Sequence, residues 1–354
     1  MTTKPLPRRA FLRWLGLATG GAALAACAPP TAPPPTAIPT RAAAAGLTAT
    51  PPAAATPTTA AAPTTASAPT ATAAPTFQPT VAPTLPDLVV ARGGQPEALV
   101  QQALAALGGM EQFVHAGDDV IIKPNICVAY HTYEYAATTN PWVVAALVRL
   151  ALGAGARRVR VMDAPFGGGP EEAYVRSGIQ EQVQAAGGQM EIMSRFKYVS
   201  APIPNGRDIQ KWDIYDDILK ADVVINVPIA KDHGLARLTL GMKNLMGVVQ
   251  NRGGLHSNLG QRLADLHSVL RPTLTVVDAV RILADHGPSG GRLEDVRQID
   301  TLVVSRDVVA ADSYVASLFG LQPNDLAYIR AAAEMGLGQS DLSRLRTEEI
   351  AVGT

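Results

Sequence analysis

The sequence predicts an α/β fold in which a doubly wound, mostly parallel β-sheet carries helices on both faces. First, short continuous apolar runs alternate with longer amphipathic stretches from residue 87 onward. Second, these runs are rich in Val, Ile and Leu, which is typical of parallel strands buried on both faces. Third, the 268 residues of 87–354 are enough for one large hydrophobic core. We therefore expect one large domain, with an irregular insertion near 190–215.

The predicted strands are the apolar runs that lie between polar or glycine-containing turns. They cover residues 89–90, 119–123, 158–162, 222–227, 274–277 and 301–304. The segment 191–204 is strand-like but irregular, and it marks the start of the expected insertion.

The predicted helices are the amphipathic stretches between these runs. They cover residues 97–107, 141–152, 170–185, 235–249, 259–270, 308–319 and 326–335. Pro141 stands at the first turn of its helix, a position that needs no backbone N–H. The alternation of strands and helices favours crossover connections, and therefore parallel pairing of the strands.

Residues 1–27 carry the features of an export signal. Arg8 and Arg9 begin the pattern R-R-x-F-L-R, which is typical of twin-arginine signals. The apolar stretch 15–26 is too short to cross roughly 30 Å of hydrocarbon, and it ends at Cys27 after Leu-Ala-Ala. We expect export by the twin-arginine translocase and lipidation of Cys27, which would hold the protein on the outer, extracytoplasmic face of the cytoplasmic membrane. The alternative is an uncleaved apolar anchor with an incidental cysteine.

Residues 28–86 form a low-complexity segment that consists almost entirely of Ala, Pro and Thr, with Arg41 as its only charge. Such a segment cannot bury enough apolar surface to offset the entropy lost on ordering. Its prolines favour extended polyproline II structure. We therefore expect a disordered, semi-rigid stalk between the anchor and the domain.

Charge and cysteine content argue against several functional classes for residues 87–354. This part holds all 30 acidic residues and 25 of the 30 basic residues, so its net charge is −5. A negative domain does not favour nucleic-acid binding, which needs a basic face. Cys127 is the single cysteine of 87–354, so we expect neither an internal disulfide nor a self-contained iron–sulfur cluster or structural zinc site.

Charged or amide side chains follow four of the predicted strands. They are Lys123 and Asn125 after 119–123, Asp163 after 158–162, Lys231 and His233 after 222–227, and Asp278 after 274–277. Ligands of open α/β sheets bind at the carboxyl ends of the strands, so these side chains should gather at one edge. The alternative is ordinary loop chemistry, in which Asp163 and Asp278 cap the following helices and Lys123 is solvated.

The same edge is expected to form a cationic pocket. Lys243 and Asn244 lie in the predicted helix 235–249, and together with Lys123, Asn125 and Lys231 they would supply many hydrogen-bond donors. Such a pocket suits a carboxylate or a phosphate. Within it, the candidates for proton transfer are Asp163, Lys231, His233 and Asp278. A Lys-Asn pair on plain helix surface is the alternative.

A divalent metal is a further hypothesis for this edge. His233, His256 and one carboxylate, either Asp163 or Asp278, could form a site that stays open to substrate. Isolated histidines are more often polar loop residues than metal ligands, which is the alternative.

Several motifs resemble, in order, the family catalogued as domain of unknown function 362. They are Lys123-Pro124-Asn125, Thr139-Asn140-Pro141, Asn226-Val227-Pro228 with Lys231 and His233, Thr239 with Lys243-Asn244-Leu245-Met246-Gly247, His256, and Arg271-Pro272 with Val277-Asp278-Ala279. The resemblance covers about 88–320 and adds Thr139 to the ligand-binding candidates. It implies no reaction, because the family's activity is not established. Many relatives carry an appended ferredoxin module with clustered cysteines that this sequence does not show, which argues against an electron-transfer role.

A more distant likeness is to the N-terminal domain of the lactate racemase family, which holds a nickel cofactor. The sequence lacks the racemase-like motifs D-x-T-R and G-C-H-R. The function expected from all these features is a membrane-tethered enzyme acting on an anionic small molecule, or holding an anionic cofactor or metal. The alternative is a non-catalytic lipoprotein that binds a solute or cofactor.

Overall fold

A ten-stranded mixed β-sheet organises residues 84–353, the part of the chain that the computed structural model describes. In chain order the strands are β1 (Leu88–Arg92), β2 (Asp119–Pro124), β3 (Arg158–Val161), β4 (Gln189–Met190), β5 (Tyr198–Pro202), β6 (Lys211–Tyr215), β7 (Val223–Val227), β8 (Ile229–His233), β9 (Arg237–Thr239), β10 (Leu274–Leu283), β11 (Val296–Ser305) and β12 (Thr347–Ala351). The main sheet has the order β12-β1-β11-β10-β7-β2-β3-β4, with β8 beside β10 and β9 beside β8.

Most strand pairs in this sheet are parallel, as the alternation of apolar runs and helices predicts. Strand β2 is parallel to β3 and β7, and β10 is parallel to β7 and β8. The antiparallel pairs involve β11, which lies between β1 and β10, and the short β8–β9 hairpin.

Helices cover both faces of the sheet. They are α1 (Pro96–Ala106), α2 (Pro141–Gly153), α3 (Pro170–Arg176), α4 (Ile179–Ala185), α5 (Asp216–Lys220), α6 (Gly241–Asn244), α7 (Arg252–Leu255), α8 (Leu259–His267), α9 (Val308–Leu318) and α10 (Ala327–Glu334). Val120 and Ile122 share one core with α1 and α2, whereas Ile121 belongs to a second core with α8, α9 and α10. Because successive strand residues point to opposite faces, one strand supplies both cores. The α/β fold class with helices on both faces is confirmed.

Some local predictions differ from the structure. The predicted helix 170–185 is divided into α3 and α4 at Gly178, which has a φ of 76° that a helix interior does not accommodate. The predicted helix 235–249 instead contains β9, the single turn α6 and a 3₁₀ turn at Leu245–Val248. The insertion 190–215 holds a separate two-stranded sheet of β5 and β6. Strands β8, β9 and β12 were not predicted as separate strands.

The predicted signal, Cys27 and residues 28–83 of the predicted stalk lie outside the described residues. Within 84–353, no helix is long and apolar enough to cross a membrane.

Candidate functional site

A cavity of about 490 Å³ lies at the carboxyl ends of β2 and β3 and extends to β8, β9 and α6. Its wall contains most of the candidates from the sequence analysis, namely Lys123, Asn125, Asp163, Lys231, His233, Lys243, Asn244 and His256. The topology explains this arrangement, because β3, β2 and β7 are neighbours and β8 follows β7 directly. Thr139 and Asp278 do not line the cavity.

Lys123 and Asp163 form a buried ion pair in the cavity wall. Lys123 Nζ lies 2.7 Å from Asp163 Oδ1 and donates hydrogen bonds to Pro124 O at 2.8 Å and Asn244 Oδ1 at 3.0 Å. Three oxygens therefore surround the ammonium, two through hydrogen bonds and one through the ion pair, and the side chain is fully buried. Burial lowers the pKa of Lys123 from its ordinary value, and the negative charge of Asp163 opposes that shift. Lys123 therefore holds the wall together and has no donor left for a ligand.

Gly247 allows the backbone to pass directly over this ion pair. A Cβ at position 247 would overlap the Asp163 carboxylate and would lie 2.7 Å from Lys123 Nζ. The second carboxylate oxygen, Asp163 Oδ2, accepts a hydrogen bond from the Ile126 N–H at 2.7 Å. Glycine is required here for close approach, a role that the sequence analysis did not assign.

A chain of amides fixes Asn244 at the centre of the site. Its Oδ1 accepts hydrogen bonds from Lys123 Nζ and from Asn125 Nδ2, the latter at 2.9 Å. Its Nδ2 donates to Asn226 Oδ1 at 2.9 Å, and Asn226 Nδ2 donates to Gly241 O at 3.0 Å. Buried polar groups that are satisfied in this way have one defined orientation.

Lys231 interacts with neutral oxygens. Its ammonium donates to Asn125 Oδ1 at 2.9 Å and to Ala137 O at 2.7 Å. Burial lowers the pKa of Lys231, and the adjacent Cys127 thiol and the Asp163 carboxylate oppose this shift. Two oxygens occupy two of the three N–H groups, and the Cys127 sulfur is the remaining partner of the ammonium.

Thr139 positions Asn125 and is not itself part of the cavity wall. Its hydroxyl donates to Val227 O at 2.8 Å and accepts the backbone N–H of Asn125 at 2.8 Å. The residue links β2 to the end of β7, and its contribution to ligand binding is therefore indirect.

Asp278 is fully buried away from the cavity. Its carboxylate accepts the backbone N–H of Asn140, the residue before α2, at 2.7 Å, and that of Val280 at 3.0 Å. Burial raises the pKa of Asp278 to about 6, although both backbone hydrogen bonds oppose the shift. These contacts anchor α2 to β10, so we leave Asp278 out of the site.

Lys243 is the lysine of the cavity wall whose ammonium has no partner among the described residues. Within residues 84–353 its ammonium makes no hydrogen bond and no ion pair, although the residue is only 9% exposed. Burial lowers its pKa to about 8, and the charges of Lys231 and Arg252 act in the same direction. Nearby in the wall, the buried hydroxyl of Thr239 also has no hydrogen-bond partner among the described residues.

The single turn α6 presents Lys243 and Asn244 because Asp312 holds its N-terminus. The Asp312 carboxylate accepts the N–H groups of Gly241 at 2.7 Å and Met242 at 2.9 Å. Burial raises the pKa of Asp312 to about 7, and the two backbone hydrogen bonds oppose this. The sequence analysis missed Asp312, since it lies about 70 residues away in an apolar helix.

His233 is a hydrogen-bond donor toward the cavity in its neutral form. Its Nδ1 accepts the N–H groups of Leu235 at 3.0 Å and Ala236 at 3.1 Å, so the proton of the neutral ring is on Nε2. Burial lowers the pKa of His233 to about 4, assisted by the charges of Lys243 and Lys231.

Among the described residues, those that line the cavity do not form a cluster of three metal-ligand atoms. Within residues 84–353, the carboxylate and imidazole atoms that lie close enough to share an ion belong to Asp285, His286 and Asp295. His256 is exposed at the cavity, and an ion on His233 would have to displace the Nε2 proton. A divalent metal at His233 and His256 stays a prediction.

Other residues of the wall were not selected from the sequence. Arg252 donates to Ala164 O at 2.9 Å and keeps its other N–H groups available. Phe166 and Leu235 are large, mostly exposed apolar residues that line the opening. These three residues do not directly follow a predicted strand, so the search for polar residues at strand ends did not select them.

A protein-family model matches the part of the chain that forms this cavity. The model described as Domain of unknown function (DUF362) matches residues 120–317, which is more than half of the chain. The chain belongs to the DUF362 family. The matched range contains the whole cavity wall and Asp312, so the DUF362 domain of this protein is the site-bearing unit.

A curated relative is the thylakoid-associated protein of Synechocystis sp. It is 28% identical over 255 residues, which are 68% of this chain and 75% of the relative. Two solved structures are also similar to this DUF362 protein. A Thermotoga maritima protein has a TM-score of 0.41 at 11% identity, over 64% of this chain and 60% of its own. The lactate racemase apoprotein from Thermoanaerobacterium thermosaccharolyticum has a TM-score of 0.38 at 10% identity, over 70% and 56% respectively. The match therefore spans less than two thirds of either solved chain.

Proposed function

We propose that this DUF362 protein binds an anionic small molecule in the lysine-rich cavity and acts on it as an enzyme, while tethered outside the cytoplasmic membrane. The observation that carries the proposal is the free ammonium of Lys243. A buried cation without a partner is unfavourable, and two further cations lie near it. A carboxylate or phosphate would supply the missing partner.

The groups around Lys243 also suit proton transfer. The amine of Lys243 has a pKa of about 8, which is close to neutral pH, where an acid–base group is most effective. The unpartnered Thr239 hydroxyl and the Nε2–H of His233 supply neutral donors for a ligand oxygen. Asp163, in contrast, is held by Lys123 and Ile126, and it supports the wall.

The second candidate is a non-catalytic lipoprotein that captures a solute or cofactor. The apolar residues Phe166 and Leu235 at the opening favour it, because they could contact the uncharged part of a bound molecule. The two candidates differ in turnover. A captured solute leaves unchanged, whereas an enzyme releases a different molecule.

The membrane part of the proposal rests on the sequence of residues 1–27. Arg8, Arg9 and Cys27 stand in the order of a twin-arginine lipoprotein signal, and a relative is named for its association with thylakoids. We expect mature protein to begin at a lipidated Cys27 and to partition into detergent. Cys27→Ala with signal removal should make it soluble, and Arg8→Lys with Arg9→Lys should block export. Wild-type protein in the soluble fraction without lipid mass on its N-terminal peptide would refute this.

Thermal shift with a panel of carboxylates and phosphates tests the cavity. A bound anion at a hundred times its dissociation constant should stabilise the fold by about 2.7 kcal/mol. Lys243→Ala and Lys231→Ala should each remove most of that gain. Lys220→Ala is the matched control, since Lys220 is an exposed lysine that pairs with Asp216 on α5. No stabilisation by any anion, or full stabilisation of both cavity variants, would end the proposal.

A further inference from the structure

We infer that Lys243 is a nucleophile that forms a Schiff base with the carbonyl group of a bound 2-oxo acid. The inference rests on the proposed function, and it names the substrate class and the reacting atom of the same cavity. It starts from the count of free donors on the three buried lysines.

Only one of these lysines can bring its nitrogen to a ligand. Lys123 Nζ is held by three oxygens, and Lys231 Nζ by two oxygens with the Cys127 thiol beside it. Lys243 Nζ contacts none within the described part of the chain, and its side chain lines the cavity. A nucleophile must be free to leave its partners and approach the substrate, so Lys243 alone meets this condition.

The environment of Lys243 keeps part of its amine unprotonated. Burial lowers its pKa most, and the charges of Lys231 from β8 and Arg252 from α7 act in the same direction, while Cys127 opposes them and His233 lies in the same wall. A lysine in an apolar site beside another cation is activated in this way. With a pKa of about 8 instead of about 10.5, the unprotonated fraction at neutral pH is greater by a factor on the order of a hundred.

The remaining groups fit the other atoms of a 2-oxo acid. Arg252 has free guanidinium N–H groups, and the positive charge of Lys231 lies in the same wall, which suits a carboxylate next to the reacting carbon. The Thr239 hydroxyl and His233 Nε2–H can donate to the carbonyl oxygen as its charge develops.

The step is balanced without a co-reactant. The lone pair of the Lys243 nitrogen forms the bond to the carbonyl carbon, and the electrons of the carbonyl π bond move to oxygen. Both hydrogens of the amine then leave with that oxygen as water, and a C=N bond remains. Protonation of the imine by solvent gives an iminium, which withdraws electrons from the neighbouring C–H and C–C bonds.

Reductive trapping tests the inference on the full chain. Pyruvate with cyanoborohydride should add the mass of pyruvate less one oxygen to the peptide that contains Lys243. The yield should rise with pH around a midpoint near 8. Lactate has the same charge without a keto group, and it should leave no adduct. Lys220→Met should form as much adduct as wild type. Lys243→Met should form no adduct beyond the low level found on exposed lysines.

Lys243→Arg separates the nucleophile from the charge, and its melting transition reports whether it is folded. Pyruvate should still partly stabilise the Lys243→Arg variant, but it should form no adduct at residue 243. Stabilisation of wild type by both pyruvate and lactate without any Lys243 adduct would overturn the Schiff base and leave anion binding intact. Absence of both stabilisation and adduct would overturn both. An adduct spread equally over exposed lysines in wild type and Lys243→Met would also overturn the inference.

Discussion

A cluster of cations lies at each end of strands β2 and β3, and the two clusters differ in how their charge is balanced. At the amino ends, Arg160 lies 2.8 Å from Asp119, 2.6 Å from Asp217 and 3.1 Å from Glu191. Arg158 and Lys197 complete this cluster, so three cations face three carboxylates.

At the carboxyl ends, three lysines share one carboxylate. Lys123 pairs with Asp163, whereas Lys231 and Lys243 have no acidic partner within hydrogen-bond distance among the described residues. The pKa values follow this difference. Burial disfavours the charge of Arg160, yet the hydrogen bonds that it donates to the carboxylates raise its pKa, while burial lowers the pKa of all three lysines.

The comparison indicates which cluster is structural and which is prepared for a ligand. A balanced cluster satisfies its own charges and stabilises the connection between strands. An unbalanced cluster that persists in a folded protein implies that the missing charge comes from outside. Removal of Arg160 from the balanced cluster should therefore lower the free energy of unfolding, whereas removal of Lys243, which has no acidic partner, should raise it in the ligand-free protein.

The largest effect is expected from Arg160→Leu. It leaves Asp119, Asp217 and Glu191 with too few cations, and it should lower the free energy of unfolding by roughly 3 kcal/mol. Denaturant unfolding measures the change. Arg149→Leu is the control, because Arg149 is an exposed arginine 3.8 Å from Glu97 and should have little effect. Equal effects of the two substitutions would contradict the structural role of the Arg160 cluster.

Gly247→Ala should break the one ion pair of the cavity cluster. The added Cβ overlaps the Asp163 carboxylate, so backbone or ion pair must move, and we expect a loss of about 2 kcal/mol. Gly153→Ala at the end of α2 is the control, since its Cβ would meet nothing within 4 Å. Denaturant unfolding of both variants measures the difference. A neutral Gly247→Ala would mean that the backbone can shift easily around the pair.

Lys243→Met should raise the stability of the ligand-free protein, by roughly 1 kcal/mol, because it removes an unpaired buried charge and keeps the volume. Stability is measured without added anions, and then with an anion that stabilises wild type. The gain from the anion should be lost. Destabilisation of the ligand-free form would show that Lys243 has a partner, and would remove the contrast with Arg160.

The lowered pKa of Lys243 should also make stability depend on pH between about 8 and 10.5. In this window the unfolded chain keeps the proton of Lys243 and the folded protein has lost it, so unfolding takes up a proton. Stability should therefore rise with pH in wild type relative to Lys243→Met, and ligand affinity should fall as the charge is lost. Parallel pH profiles of the two proteins would refute the lowered pKa.

The sequence correctly places a residue in the cavity wall where that residue lies at or just after the end of a buried strand. Lys123, Asn125 and Asp163 were found because apolar runs define the strands β2 and β3 and the polar residue after each run is plain. The rule failed at Asp278, because β10 continues to Leu283, so Asp278 lies inside the strand and its carboxylate anchors α2. The sequence position of a polar residue predicts its place in the sheet, but it does not predict which residues its side chain contacts.

The missed features depend on long-range contacts. Strand β8 contains the polar residues Lys231, Asp232 and His233, so it does not resemble a buried strand. The single turn α6 has no helical length of its own and is stabilised by Asp312 of α9. Gly247 is one of 31 glycines, and only the packing over Lys123 and Asp163 distinguishes it.

The neutral oxygens around Lys231 have a consequence for how fast a ligand arrives. Asn125 and Ala137 orient the ammonium without cancelling its charge, so its field extends through the opening into solvent. The domain as a whole is negative, and an anion is attracted only when it comes within about 8 Å of the opening at physiological ionic strength. Added salt should therefore reduce the association rate of an anion less than it does for a protein with a positive surface. Salt weakens the repulsion from the negative domain as well as the attraction by the lysines of the cavity. Dianions should lose more of their association rate to salt than monoanions.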